Sequence, residues 1–149
     1  MCYYRLTKGS EKLRTANEDI RVWKVLTSDL KSIVRDHQYD LNLTYRSPRN
    51  WLNLILATVL NRSTINHGFH SYTTLNIAKL DRTCRDRQLI VACTVPKGAL
   101  YYRSDEFCEI VSSSIRVDGI QQEDGSVSDH NPLAPPVHLI EFMEEYLKS

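Results

Sequence analysis

Residues Gln88 to Gly119 read QLIVACTVPKGALYYRSDEFCEIVSSSIRVDG and predict the centre of a β-sheet. Leu89 to Val95 is a nearly continuous apolar run, which is typical of a strand buried on both faces. Pro96 cannot donate a ladder hydrogen bond, and Lys97-Gly98 is a turn pair. We therefore expect the chain to reverse there and to resume extended structure at Ala99 to Tyr102.

The second part of this stretch predicts a strand from Phe107 to Val117 with a break near Ser112 to Ser114. Strict alternation points Glu109 the same way as four apolar side chains: Phe107, Val111, Ile115 and Val117. A carboxylate in that position borders a cavity or pairs with a cation, because burying it alone is expensive. Lys24 and Lys97 are the cations that we consider for such a pair.

The first strand is predicted at Ile20 to Thr27, which is rich in β-branched and aromatic residues. Alternation places Lys24 on one face with three aliphatic side chains, and Arg21 with Trp23 on the other face. Lys24 is either a lysine whose head group reaches past a strand edge or a cation that binds a ligand.

Helices are predicted on both sides of the short strand within Asn66 to Thr74. Ser28 can cap a helix from Asp29 to His37. Ser47 and Pro48 begin a longer helix that ends near Asn61. Its apolar residues recur at helical spacing: Trp51, Leu52, Ile55, Leu56, Val59 and Leu60. Thr73 or Thr74 can cap the helix that follows the short strand.

The 149 residues predict one α+β domain with a central, mainly antiparallel, split β-sheet flanked by helices. Residues 1–19 form a lead-in, 20–118 the core, 119–136 an exposed loop rich in glycine and proline, and 137–149 a C-terminal helix. In that last helix, the residues expected to pack are Val137, Ile140, Met143 and Leu147.

Composition excludes several functions. A net charge of +1 supplies no field that would recruit nucleic acid in general. The apolar run Trp51 to Leu60 is too short to span a membrane, so we expect a cytoplasmic protein without membrane association. The four cysteines form no CxxC pair, and the five histidines are scattered. We therefore expect free thiols and no metal site.

The order of these elements resembles the ADP-ribosyltransferase fold, in which a split antiparallel sheet holds NAD in a cleft. The resemblance covers Ile20 to Val117. It aligns Gly68-Phe69-His70-Ser71-Tyr72-Thr73 with the Ser-Thr-Ser strand of that family, and Cys108-Glu109-Ile110-Val111 with its glutamate strand.

The resemblance implies a nucleotide-binding domain, and a mono-ADP-ribosyltransferase where the site is active. Glu109 would be the catalytic carboxylate, which stabilises oxocarbenium character at the ribose, and Ser71 would brace the site. Lys24, or as a second choice Arg21, would hold the pyrophosphate. The residues implied to bind NAD are then Lys24, His70, Tyr72 and Thr73. The alternative for His70 and Tyr72 is that they are core residues with satisfied polar atoms.

A second resemblance leads to a different class of function. The segments Trp-Lys-Val-Leu, Gly-Phe-His-Ser and Val-Pro-Lys-Gly-Ala-Leu-Tyr-Tyr are similar to those of short uncharacterised proteins of gut bacteria and their phages. This implies a location in a bacterial or phage-infected cell. The alternative function is a non-enzymatic accessory protein that sequesters a nucleotide signal, antagonises a host protein or belongs to a larger assembly. The sequence leaves the oligomeric state open.

Overall fold

The computed structural model describes residues 4–5, 12–32, 37–60, 64–65, 68–82, 88–132 and 137–148. The helices are α1 (Pro48–Val59), α2 (Leu75–Arg82) and α3 (Val137–Lys148). The strands are β1 (Tyr4–Arg5), β2 (Arg14–Thr15), β3 (Ile20–Thr27), β4 (Thr44–Arg46), β5 (Thr64–Ile65), β6 (Phe69–Tyr72), β7 (Gln88–Val95), β8 (Leu100–Ser104), β9 (Glu109–Ser112), β10 (Ser114–Gln121) and β11 (Val127–Ser128).

The main sheet of the described residues has the strand order β11-β10-β7-β3-β6-β9-β8-β2, and β4 also pairs with β10. These pairings are antiparallel, which confirms the predicted α+β class with a mainly antiparallel sheet. The central strand β7 is buried along nearly its whole length, as its unbroken apolar run predicts.

Residues 109–121 form one long, bent strand that serves both halves of the sheet. Its first part, β9, pairs with β6 and β8, whereas its second part, β10, pairs with β7 and β4. Ser113 lies at the bend: its amide donates to the Leu100 carbonyl oxygen at 2.9 Å, and its Oγ accepts from the Leu100 amide at 3.0 Å. β3 pairs with both β6 and β7, β6 pairs with β9, and β7 pairs with β10. Because β9 continues into β10, these strands form a closed circuit. The sheet therefore has an enclosed inner face and an outer face.

The inner face holds the largest apolar cluster. Its buried members are Val22, Leu26, Tyr39, Leu89, Val91, Cys93, Val95, Ala99, Ile110, Ile115, Val117 and Ile120. Along β3 and β7, every second residue points inward, as the pleat of a strand requires. Burial of one such aliphatic side chain contributes roughly 2 kcal/mol, so this cluster is the main source of hydrophobic stabilisation.

The outer face is covered by α1 and α2 at separate places. Leu54 and Ala57 of α1 pack on Tyr102 of β8 and Val111 of β9. Ala78 of α2 packs on β3 and β7, next to Trp23 and Tyr72. The Ser47 side chain accepts from the Asn50 amide at 3.3 Å, and Pro48 is the first residue of α1, as the capping pattern predicts.

The face that α1 turns to the sheet is not the face that its apolar spacing suggests. Leu54 is 0% exposed, whereas four of the six residues of the predicted stripe are exposed and the other two, Ile55 and Leu56, are partly buried. The exposed fractions are 50% for Trp51, 48% for Leu52, 72% for Val59 and 57% for Leu60. The helix is thus apolar on two sides, and the sheet uses the narrower one because Ala57 allows a close approach.

The predicted helix from Asp29 to His37 is wrong where the structure describes it. Leu30 adopts a positive φ of 63°, and its amide donates to the Thr27 carbonyl oxygen at 2.9 Å. Lys31 then bridges to Gln38, so the chain turns back instead of winding into a helix. A left-handed residue at the second position is incompatible with a helical start.

Two boundaries of the predicted organisation also change. Residues 119–136 are not all loop: β10 continues to Gln121, and β11 pairs with it as a hairpin. The lead-in contains β2, which pairs with β8. The C-terminal helix lies where it was predicted, but Met143 and Leu147 are exposed instead of packed. Residues 133–136 and the side chains of Val137 and Ile140 lie outside the described part of the chain.

Gly68 directly precedes β6 and lies close to Val111 of β9, so a substitution at Gly68 tests the packing between these two strands. Its φ is 147°, and a Cβ built there would lie 2.4 Å from Val111 Cγ2. We expect Gly68→Ala to lower the free energy of unfolding by about 2 kcal/mol or more, because it combines backbone strain with overpacking. Gly125 also has a positive φ, 93°, but open space around it. Gly125→Ala should cost about 1 kcal/mol. Equal losses for both variants in urea unfolding would contradict the close contact.

Candidate functional site

Strand register divides the predicted site residues between the two faces of the sheet. Tyr72 pairs with Glu109 on one side and with Trp23 on the other, so these three side chains share the outer face. Ser71 pairs with Ile110, whose side chain belongs to the inner cluster. Glu109 and Ser71 therefore point to opposite faces, and the structure does not bring the two predicted catalytic residues together.

The bend at Ser113 explains why the phase of Glu109 differs from its prediction. Glu109 shares its face with Val111, as alternation requires within β9. Ile115 and Val117 belong to the inner cluster, whereas Val111 packs under α1 on the outer face. The inward phase thus changes as the strand passes through Ser113. Glu109 is half-buried beside Tyr72 and does not enter the enclosed core.

Lys24 points to the inner face and closes a gap between two strands. The described register of β3 with β6 consists of the single pair Trp23–Tyr72. Lys24 is the residue after Trp23, and its Nζ donates to the His70 carbonyl oxygen. This side-chain hydrogen bond takes the place of a backbone hydrogen bond between the two strands. The ammonium group also lies 5.7 Å from the centroid of the Tyr39 ring, within the range of a cation–π contact.

Desolvation changes the titration of this inner cluster. Burial lowers the pKa of Lys24 from 10.5 to about 8, and a nearby Cys93 thiolate would oppose that shift. Burial also raises the pKa of Cys93 to about 12 and raises the pKa of Tyr39. Part of the Lys24 side chain contacts solvent, but its head group is enclosed by protein. Lys24 is therefore a structural cation of the core.

Ser71 points to the inner face, as Lys24 does. It is only 2% exposed, and its Oγ has no hydrogen-bond partner among the described residues. Such a hydroxyl in a protein interior is uncommon, because leaving it unsatisfied costs free energy. Its position excludes contact with a ligand on the outer face.

His70 lies within β6, and Thr73 directly follows this strand. His70 pairs with Val111, so its ring is on the same face as Tyr72 and Glu109. The Thr73 amide donates to the Cys108 carbonyl oxygen at 2.8 Å, which ties the start of α2 to the residue before Glu109. Cys108 adopts a positive φ of 52° at this point.

A row of cross-strand partners crosses the outer face. It comprises Ser104, Glu109, Tyr72, Trp23, Ala92 and Gly119, each paired with the next. The Trp23 indole donates to Gln121 Oε1 at 3.2 Å, which fixes the plane of its ring. Trp23 was not among the predicted site residues, although alternation along β3 separates it from Lys24.

A second row on the same face is polar and consists of Arg21, Thr94 and Arg116. Asp118, the extra residue of a β-bulge, binds both arginines: Arg21 Nη1 at 2.8 Å and Arg116 Nε at 2.6 Å. Thr94 Oγ1 also donates to Asp118. The hydrogen bond to Asp118 raises the pKa of Arg116. Neither Arg116 nor Asp118 was among the predicted site residues, because a bulge is not visible in residue spacing.

Comparison with family models, with curated proteins and with solved structures yields no match to this chain. The ADP-ribosyltransferase resemblance therefore remains a prediction. In the part of the chain that the structure describes, no group of three or more potential metal ligands occurs. None of the described helices is long and apolar enough to cross a membrane.

The enclosed position of Lys24 has a consequence for the pH dependence of stability. Between pH about 8 and 10.5 the unfolded chain keeps a proton that the folded chain has lost, so the free energy of unfolding rises with pH. Cys93 acts in the opposite direction above its ordinary pKa of 9.0. We expect a rise of about 1 kcal/mol from roughly pH 8 to 9, measured by urea unfolding.

Two variants separate these contributions. Lys24→Met should abolish the rise, whereas Cys93→Ala should extend it toward roughly pH 10. A wild-type profile that is flat in this range would contradict a desolvated ammonium group at Lys24.

Proposed function

We propose that this protein binds a nucleotide of the NAD or ADP-ribose type on the outer face of its sheet. The observation that carries this proposal is the row Glu109–Tyr72–Trp23, in which a carboxylate lies beside two aromatic rings on one face. A carboxylate accepts hydrogen bonds from ribose hydroxyls, and aromatic side chains stack on a base or a nicotinamide ring.

Arg21, rather than Lys24, is the cation that suits this site. It lies on the outer face two residues from Trp23, and its side chain is 47% exposed. With a strand spacing of about 5 Å and a rise of about 3.3 Å per residue, Arg21 and Glu109 are roughly 12 Å apart. Its guanidinium can bind phosphate through two parallel hydrogen bonds, which an ammonium group cannot do.

The proposed activity is binding without turnover. In the resemblance that suggested a transferase, Ser71 braces the catalytic glutamate, but here Ser71 faces the opposite side of the sheet. Lys24 is likewise held inside by the His70 carbonyl oxygen. Glu109 can orient a ribose without Ser71. Cleavage of the glycosidic bond, however, is expected to need a serine that holds the glutamate in place, and Ser71 cannot do this from the opposite face.

Calorimetric titration with NAD and with ADP-ribose tests this proposal. We expect Glu109→Gln and Arg21→Met each to weaken binding by about tenfold or more, because each removes a charged hydrogen-bonding group. Ser71→Ala is the matched control on the inner face and should leave the dissociation constant unchanged.

The result that would overturn the outer-face site is a loss of affinity in Ser71→Ala as large as that in Glu109→Gln. Release of nicotinamide from NAD is measured in parallel. If the wild type releases nicotinamide and Glu109→Gln does not, the proposal of binding without turnover is wrong and transferase-type chemistry takes its place.

The second candidate function is that of a non-enzymatic accessory protein that binds another protein. One observation favours it: α1 presents Trp51, Leu52 and Val59 to solvent. Exposed apolar residues that adjoin one another are typical of protein-interaction surfaces. No heat with either nucleotide, in a chain that is folded by circular dichroism, would favour this function over nucleotide binding.

A further inference from the structure

Arg21 and Arg116 share one carboxylate on the outer face, and each guanidinium group is held at two points. Arg21 Nη1 donates to Asp118 Oδ2 at 2.8 Å and to the Cys93 carbonyl oxygen at 3.4 Å. Arg116 Nε donates to Asp118 Oδ1 at 2.6 Å, and its Nη2 donates to Thr94 Oγ1 at 3.3 Å. Because a free arginine side chain samples many rotamers, these contacts give both groups defined positions before any ligand binds.

The same two guanidinium groups keep donors for a further acceptor. Within the described part of the chain, Nε and Nη2 of Arg21 and Nη1 of Arg116 have no acceptor. The side chains are 47% and 36% exposed, so both reach solvent. A guanidinium group presents its N–H donors in a planar fork, which matches the oxygens of a phosphate group.

The two groups are close enough to bind two phosphates that share an oxygen atom. The Cα atoms of Arg21 and Arg116 are separated by Thr94 and hence by two strand spacings, or roughly 10 Å. Their side chains converge, because each is one hydrogen-bond length from an oxygen of Asp118. The two nitrogens bound to that carboxylate therefore lie within about 8 Å of each other.

Nearby carboxylates mean that net charge is not the source of affinity at this pair. Asp118, through its hydrogen bond and its charge, raises the pKa of Arg116, and Asp19 raises it further. These negative charges offset the two cations, so an anion must be held by directed donors. Backbone amides at helix ends bind phosphate in a similar way, through positioned N–H groups.

We propose that Arg21 and Arg116 together bind two linked phosphate groups, so that the ligand is a nucleoside diphosphate or one of its esters, and that Asp118 is their positioning residue. The proposal rests on the nucleotide site proposed above and adds Arg116 to it. Trp23 lies two residues from Arg21 on the same face, about 7 Å along β3, so a ring stacked on Trp23 can be joined to these phosphates. A single phosphate group would engage only one of the two arginines.

Calorimetric titration with ADP, AMP and inorganic pyrophosphate tests this proposal. The wild type should bind ADP at least about tenfold more tightly than AMP, because ADP engages both guanidinium groups. Arg116→Met should abolish this preference, mainly by weakening the binding of ADP, and should weaken the binding of pyrophosphate to a similar extent. Arg116→Lys keeps the charge but not the planar fork, so it should lose most of the preference as well.

Arg103→Met is the matched control. Arg103 is 45% exposed, and its Nε donates to Asp105 at 3.0 Å, so it resembles Arg116 in exposure and in having an aspartate partner. It lies on β8 and should keep the wild-type preference for ADP. Circular dichroism checks that each variant is folded, which is expected because Asp118 keeps Arg21 and Thr94 as partners when Arg116 is replaced.

Two results would overturn the paired arginines. The first is a wild type that binds neither ADP nor pyrophosphate more tightly than AMP. The second is an Arg116→Met variant that keeps the wild-type preference for ADP. In either case, binding of NAD that Glu109→Gln weakens would leave the proposed nucleotide site standing. Conversely, pyrophosphate binding that Arg116→Met abolishes, without heat from NAD or ADP-ribose, would support the paired arginines and contradict the nucleotide.

Discussion

The bend at Ser113 is the constraint on which the rest of the structure depends. It lets one continuous strand pair with β6 and β8 before the bend and with β7 and β4 after it. The sheet then closes, and its inner face becomes an apolar core that needs no covering helix. The two hydrogen bonds with Leu100 hold the bend, because they satisfy both the amide and the hydroxyl of Ser113. The outer face is consequently left for α1, α2 and the polar residues between them.

Closure has a cost at the junction of β3 and β6, where the two strands separate after one described pair. A backbone carbonyl left unsatisfied there would be expensive, and Lys24 supplies the donor from its side chain. Burying a cation is expensive too, so the lowered pKa of Lys24 measures part of that penalty. The lysine that alternation places among aliphatic residues is thus explained by the geometry of the sheet, without any ligand.

Local patterns predicted the elements better than they predicted the faces. The run at β7, the alternation along β3 and the cap of α1 follow from chemistry within a few residues, and the structure confirms them. The position of Glu109 relative to Ser71 depends on register across β6 and β9 and on a change of phase at Ser113. Neither this register nor the change of phase can be predicted from the spacing of residues along one strand. The apolar stripe of α1 predicted a helix, but periodicity alone does not say whether its partner is the sheet or another chain.

Charge on the outer face is organised locally, since the whole chain is nearly neutral. Asp118 lies in a bulge, and the extra residue turns its carboxylate toward Arg21 and Arg116 at once. The shared partner holds both guanidinium groups in place, with about a third to a half of each side chain still exposed. An anionic ligand would therefore meet donors that are already positioned, so less conformational entropy would be lost on binding.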